Sequence, residues 1–122
     1  MKKGWERGWK VLRKEKGKLI SPVLGGNSPG KTRYYFRRPT APNRKCGPLC
    51  VFQSLQEARC FCKEGRTGGG GSIYLCWFKP SKAQLVYYPR GLLGQAITPL
   101  QQLPVGTRLA TQVVILSKKE IE

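Results

Sequence analysis

The segment at residues 25–32 reads G-G-N-S-P-G-K-T, which fits the phosphate-binding pattern G-x-x-x-x-G-K-[ST]. In proteins that use this pattern, loop N–H groups and the N-terminus of a following helix bind the phosphates of a nucleotide. Here Pro22 interrupts the preceding segment, and Pro29 removes one backbone donor. The following residues, RYYFRRP, favour a strand over a helix. The surroundings of the motif therefore predict no nucleotide site.

The side chains that usually accompany such chemistry are also missing. The sequence has no Asp, and neither apolar segment, 73–78 or 109–116, ends in Glu, so a carboxylate that could hold magnesium is lacking. The sequence has no His, which is the commonest general base. Glu57 or Glu64 could act as an acid or base in a concave site, but Glu57 is better explained as a helix-capping residue. We therefore expect a protein that is not an enzyme and needs no cofactor.

Five cysteines could in principle form a metal site, since four thiolates can bind zinc. The spacings C-x-x-x-C and C-x-C differ from the paired C-x-x-C of zinc knuckles, and on a helix the C-x-C pair would point about 200° apart. We therefore expect no metal site, and the zinc candidates that this argument sets aside are Cys46, Cys50, Cys60 and Cys62. A disulfide between Cys46 and Cys50 stays open, and Cys62 and Cys76 are expected in the core.

Positive charge is the strongest global feature of the sequence. Lys and Arg total 23 against six acidic residues, a formal net charge of +17 over 122 residues. Residues 1–45 carry 14 basic and two acidic residues, net +12, and residues 46–122 carry nine and four, net +5. Such an excess of one sign favours contact with nucleic acid or with an acidic protein surface.

The segment at residues 31–38, KTRYYFRR, interleaves cations with aromatic rings. In a strand, its odd-numbered residues would share one face and its even-numbered residues the other. One face could then present Arg-aromatic-Arg to single-stranded nucleic acid, where rings stack on bases and guanidinium groups meet phosphate. The pattern fits equally an edge strand whose rings cover the core and whose arginines prevent aggregation. The residues expected to bind nucleic acid are Lys31, Arg33, Tyr35, Arg37 and Arg38, with Lys10, Arg13 and Arg44 in support.

The hydrophobic pattern predicts the elements that position these residues. Alternation at residues 9–13 and around 19–23 predicts an N-terminal hairpin, with a third strand at 33–38 and a loop at 39–48. Ser54 and Glu57 form the pattern of a capping box, which begins a helix at about 54–64.

After the GGGGS run at residues 68–72, we expect a central strand at 73–78 with a hairpin partner at 85–88. A loop at 90–107 and a strand at 109–116 complete the pattern. The predicted fold class is α+β: a single small domain with a mostly antiparallel sheet of about six strands and one helix packed on one face. The expected organisation is a basic hairpin region at 1–45, an α+β core at 46–117 and a frayed tail at 118–122.

Three pieces of the sequence, CGPLCVFQSLQEARCFC, IYLCWFKPS and LPVGTRLATQVVIL, cover about residues 46–116. Together they resemble short uncharacterised proteins of phages and mobile elements. Those proteins have a G-P-L-x-V-F strand running into an S-L-x-x-A helix, an I-Y-x-C strand ending in P-S, and an L-P-x-G-T-x-L-A turn and strand. The resemblance implies a compact α+β module of viral or mobile-element origin and no catalytic residues.

No apolar run approaches the roughly 20 residues that span a bilayer, and no apolar segment follows the charged N-terminus as in a secretion signal. We therefore expect a cytoplasmic protein, in the host cytoplasm if it is phage-encoded, with no membrane partner. The leading hypothesis is a non-enzymatic protein that binds DNA or RNA through its basic, aromatic-rich face. The alternative is a phage or mobile-element interaction module, an inhibitor or accessory factor, that docks on an acidic protein surface.

Overall fold

The computed structural model describes residues 3–20, 32–43, 46–63, 71–89 and 95–118. This part of the chain contains one α-helix, α1 (Leu55–Lys63), a 3₁₀ turn at Leu100–Gln102 and nine strands. The strands are β1 (Glu6–Glu15), β2 (Lys18–Ile20), β3 (Arg33–Tyr34), β4 (Pro39–Thr40), β5 (Leu49–Phe52), β6 (Gly71–Pro80), β7 (Leu85–Pro89), β8 (Gln95–Pro99) and β9 (Thr107–Lys118).

Strand β6 lies at the centre of the sheet, antiparallel to β1 on one side and to β9 on the other. Short β5 pairs with the first half of β9 and reaches β1 through the pair Trp9 and Phe52. These four strands form a closed ring, so the sheet is a small barrel. Near the other end, β1 continues through β2 to β3, and Phe36 then bridges to Ile115 on β9. The barrel is therefore closed along both halves of its length.

The predicted α+β class is therefore wrong, because the protein is mostly β and its sheet closes on itself. Two β-bulge irregularities in the pairing of β6 with β9, between Leu75 and Cys76 and between Lys79 and Pro80, accompany this curvature. The expected hairpin between the 73–78 strand and the 85–88 strand is also absent. Instead β7 pairs with β8 in a separate two-stranded sheet, and β8 lies in the segment predicted as a loop.

Two apolar clusters occupy the two faces of the same strands. Leu12, Val51 and Tyr74 belong to the cluster inside the barrel. Their chain neighbours Val11, Phe52 and Ile73 belong to, or pack against, the cluster under α1. Because successive side chains of a strand point to opposite faces, strands covered on both faces must be apolar at successive positions. The helix packs against the outer wall of the barrel at this place, which is why IYLCWF at 73–78 shows no alternation.

The N-terminal hairpin and the helix follow the predictions closely. Lys16 and Gly17, with φ of 51° and 80°, form the two-residue turn between β1 and β2. At the start of α1, the Ser54 hydroxyl accepts a hydrogen bond from the backbone N–H of Glu57 at 3.2 Å. The same hydroxyl donates to the Glu57 carboxylate at 2.8 Å, so Ser54 is the N-cap as the capping-box pattern indicates.

Replacement of Ser54 by alanine should lower the free energy of unfolding by about 1 kcal/mol, because it leaves the first turn of α1 without its cap. Ser117→Ala is the matched control, since it removes the same atom from an exposed position on β9. Urea unfolding followed by circular dichroism measures both variants. Equal stabilities of the two would contradict the capping role.

Gly8→Ala should destabilise the barrel by about 1–3 kcal/mol, since an added Cβ would lie 2.8 Å from Cε1 of Phe78 and 3.1 Å from the backbone oxygen of Phe52. The cost should shrink in a Phe78→Leu background, where the ring no longer occupies the space. A double-mutant cycle of unfolding free energies checks this coupling. Purely additive effects would mean that Phe78 does not limit the space at Gly8.

Candidate nucleic-acid interface

The arginine–aromatic segment, residues 33–38, forms an exposed cluster centred on the ring of Tyr35. The Cζ atom of Arg33 lies 4.5 Å from the centre of this ring, and that of Arg38 lies 5.7 Å from it. Tyr35 is 42% exposed, and both arginines are exposed. Neither arginine has a carboxylate partner in the part of the chain that the structure describes. Two exposed guanidinium groups are therefore held close to one aromatic ring.

The predicted alternation holds over the first three residues of this segment and then breaks. Arg33 and Tyr35 point outward, whereas Tyr34 is only 2% exposed. Arg37 has φ of 61°, a left-handed conformation that turns the chain, so Phe36 and Arg38 are exposed although a strand would place them with Tyr34. The prediction of a strand at 33–38 is therefore wrong beyond Tyr34, but the turn brings Arg38 to Tyr35.

Phe36 is an exposed ring on a fixed backbone. Phe36 forms an isolated β-bridge with Ile115 of β9, and the backbone N–H of Arg37 donates a hydrogen bond to the Ile115 carbonyl oxygen at 2.8 Å. The ring of Phe36 lies 5.9 Å from the ring of Tyr74, centre to centre, at an interplanar angle of 59°. Phe36 nevertheless remains 49% exposed. The segment thus exposes two adjacent rings: Tyr35, which contacts two guanidinium groups, and Phe36, which lies beside Tyr74.

Arg13 joins this surface through the register of the sheet. Arg13 pairs with Ile20, and Ile20 pairs with Arg33. Residues directly opposite each other on antiparallel strands share a face. Arg13 therefore lies on the same face as Arg33, two strands away, with the buried side chain of Ile20 between them.

Lys10, also predicted to support the interface, is buried inside the barrel at 7% exposure. Its Nζ atom donates a hydrogen bond to the Cys50 carbonyl oxygen and lies 5.2 Å from the centre of the Tyr34 ring. Lys10 lies an even number of residues from Leu12, and this spacing assigns it to the inner face. A charge count could not have distinguished it from the exposed lysines around it. Lys10 therefore contacts strand β5 and Tyr34, not the surface.

The other two predicted residues, Lys31 and Arg44, lie outside the described residues, as does all of the 25–32 motif except Thr32. Thr32 is buried, and β3 follows it where a nucleotide-binding motif would have a helix. Four exposed lysines that were not singled out from the sequence lie at the end of the barrel where β1 and β9 finish. We call this group the basic rim, and its members are Lys14, Lys16, Lys18 and Lys118.

The basic rim adjoins the arginine–aromatic segment through cross-strand pairs. Lys14 pairs with Leu19, which pairs with Tyr34. Lys118 pairs with Tyr74, whose ring contacts Phe36. The hairpin prediction and the density of lysines near its turn could have identified most of the rim. Lys118 could be assigned to the rim only from the pairing of β6 with β9.

In the described part of the chain, no three His, Cys, Asp or Glu side chains converge on one point. None of the five cysteines is in a disulfide, so Cys46 and Cys50 are not bridged. Cys60 is exposed on α1, Cys62 packs against the cluster under the helix, and Cys76 lies in the barrel core. Burial raises the pKa of the Cys50 thiol, although the nearby charge of Lys10 opposes this shift.

No protein family, curated protein or solved structure matches this chain. The resemblance to phage and mobile-element proteins therefore stays a prediction. Among the described residues, no helix has the length and apolar character needed to cross a bilayer.

The interior around Lys10 should make the protein sensitive to alkali. Burial raises the pKa of the Cys76 thiol from 9.0 to about 12, and burial also raises the pKa of Tyr34. The unfolded chain therefore loses these protons at lower pH than the folded protein. The stability that depends on the Cys76 proton is complete below pH 9 and is lost as the pH rises to about 12.

The free energy of unfolding should accordingly fall above pH 9, by up to about 1.4 kcal/mol per pH unit for each such group. Cys76→Ala should make this slope shallower, while Tyr34 retains part of it above pH 10. Val51→Ala, which removes buried volume without an ionisable group, is the control. Urea unfolding at several pH values gives the slopes, and identical slopes for all three proteins would contradict the assignment.

Proposed function

We propose that the protein binds nucleic acid through the arginine–aromatic segment, together with Arg13 and the basic rim. The observation that carries the proposal is the pair of guanidinium groups held on the exposed ring of Tyr35. A guanidinium group fixed on an aromatic ring loses little side-chain freedom when it binds a phosphate, and its planar donors match phosphate oxygens. The proposed role is binding, not catalysis.

The distribution of charge supports a polymeric anion over a single small one. Arg13, Arg33 and Arg38 and the four lysines of the rim spread over several strands of the barrel. At the other end of the barrel, where β1 and β9 begin, the exposed carboxylate of Glu6 lies 3.4 Å from Arg108 and partly neutralises it. A phosphate chain can contact separated cations in sequence, and each contact releases counterions.

The double substitution Arg33→Ala and Arg38→Ala tests the proposal. We expect affinity for an oligonucleotide to fall about 10-fold, and the slope of log affinity against log salt to become less steep by about 1–2 units, because up to two phosphate contacts are lost. The measurement is fluorescence anisotropy of a labelled strand between about 50 and 200 mM salt.

The matched control is Arg59→Ala with Lys63→Ala, which removes two exposed charges from α1 and leaves the same net charge. Equal losses of affinity in the two double variants would mean that the whole positive charge, and not this site, binds the nucleic acid. Absence of binding at low salt would overturn the proposal. A complex with an acidic protein that persists after nuclease treatment would then favour the interaction-module alternative.

A further inference from the structure

We infer that the ligand of this site is a single strand, and that an unpaired base stacks on the ring of Phe36. This inference rests on the proposed function, since it names the class of nucleic acid that the same surface accepts. It depends on the different surroundings of the two exposed rings, Tyr35 and Phe36.

Tyr35 is already engaged by its neighbours. Two guanidinium groups lie within 5.7 Å of the centre of its ring and compete with a base for the space against it. The ring instead orders Arg33 and Arg38, and these contribute charge. Tyr35 is therefore assigned to phosphate contact, by way of the arginines.

Phe36 has the properties of a stacking platform. It is 49% exposed, whereas the chemically similar Phe78 and Phe52 are 1% and 7% exposed. The bridge to Ile115 and the hydrogen bond from Arg37 hold its backbone on the barrel, and the inclined ring of Tyr74 lies beside it. An aromatic ring left in water on a rigid backbone gains free energy when another flat apolar surface covers it. Every nucleic-acid base offers such a surface.

A duplex cannot use this platform in its paired regions. The faces of paired bases are covered by their neighbours, and proteins reach only their edges through the grooves, usually with a helix or a two-stranded ribbon. Helix α1 packs against β1, β5 and β6 and takes no part in the arginine–aromatic segment. An unpaired strand can turn a base onto Phe36 while its phosphates meet the nearby arginines.

The β1–β2 hairpin provides the competing possibility. Lys14, Lys16 and Lys18 are exposed on a two-stranded ribbon, which could enter the major groove of a duplex. That mode would use the basic rim and leave Phe36 uncovered. The two modes therefore predict opposite preferences for the same set of probes.

The experiment compares three labelled DNA probes of about 15 nucleotides, a length near the usual site size of a small single-strand-binding domain. They are a single strand, the duplex of the same sequence, and an abasic strand that keeps the phosphates but lacks the bases. A single strand of RNA is measured as a fourth probe. Anisotropy at fixed salt should give at least about 10-fold tighter binding of the single strand than of the duplex or the abasic strand.

Phe36→Leu keeps an apolar side chain but removes the ring. It should weaken single-strand binding about 10-fold, with the salt slope and the binding of the duplex and abasic probes unchanged. Ile97→Ala, at an exposed apolar position on β8, is the control and should change nothing. Circular dichroism and the melting temperature establish that each variant is folded.

Phe36→Trp gives a second, direct measurement. Its fluorescence, taken as the difference from the unsubstituted protein, should be quenched by the single strand and not by the abasic strand. Equal affinity for single strand and duplex, or equal weakening of all probes by Phe36→Leu, would overturn the inference. Salt-dependent binding that still requires Arg33 and Arg38 would then leave the proposed function standing, whereas no binding of any probe would remove both.

Discussion

The pairing of β6 with both β1 and β9 is the constraint on which the rest of the structure depends. It aligns three long strands and leaves their outer edges to be joined by short segments, β5 near one end and the β2–β3–Phe36 path near the other. Closure satisfies the backbone donors and acceptors that an open sheet would expose at its edges. Residues 33–38 belong to this closure, so the candidate interface is part of the barrel wall.

Closure of the barrel also determines whether each side chain along a strand points into the interior or away from it. On β1, Leu12 and Lys10 point inward, whereas Val11 packs under the helix. Among the described residues, one amino group lies in the interior, where it contacts the Cys50 carbonyl oxygen and the ring of Tyr34. Burial of a polar group without a partner would cost several kcal/mol, and these contacts offset that cost. Lys10 thus links β1, β3 and β5 directly behind the interface.

Local sequence patterns predicted the elements that have a clear signal of their own, such as a helix cap or a long apolar run. The capping box located the start of α1, and alternation on the two sides of the Lys16-Gly17 turn predicted the first hairpin. The apolar segments at 73–78 and 109–116 lie within β6 and β9. The count of six strands left out β4, β5 and β8, and the expected pairing of the 73–78 strand with the 85–88 strand was wrong. Strands of two to five residues carry too little pattern to be distinguished from loops, and pairing depends on partners distant in sequence.

For the candidate site, the sequence by itself determined that cations and rings alternate near residue 35 and that the net charge is strongly positive. It also determined the outward direction of Arg33 and Tyr35 relative to Tyr34, because alternation is a property of the strand. Only the tertiary structure decided that Arg38 turns back onto Tyr35, that Lys10 lies inside and that Lys118 pairs with Tyr74, whose ring lies beside Phe36. The first fact arises from the left-handed residue at Arg37. The other two arise from the closure of the barrel, which decides which face of β1 lies inside and pairs the end of β9 with β6.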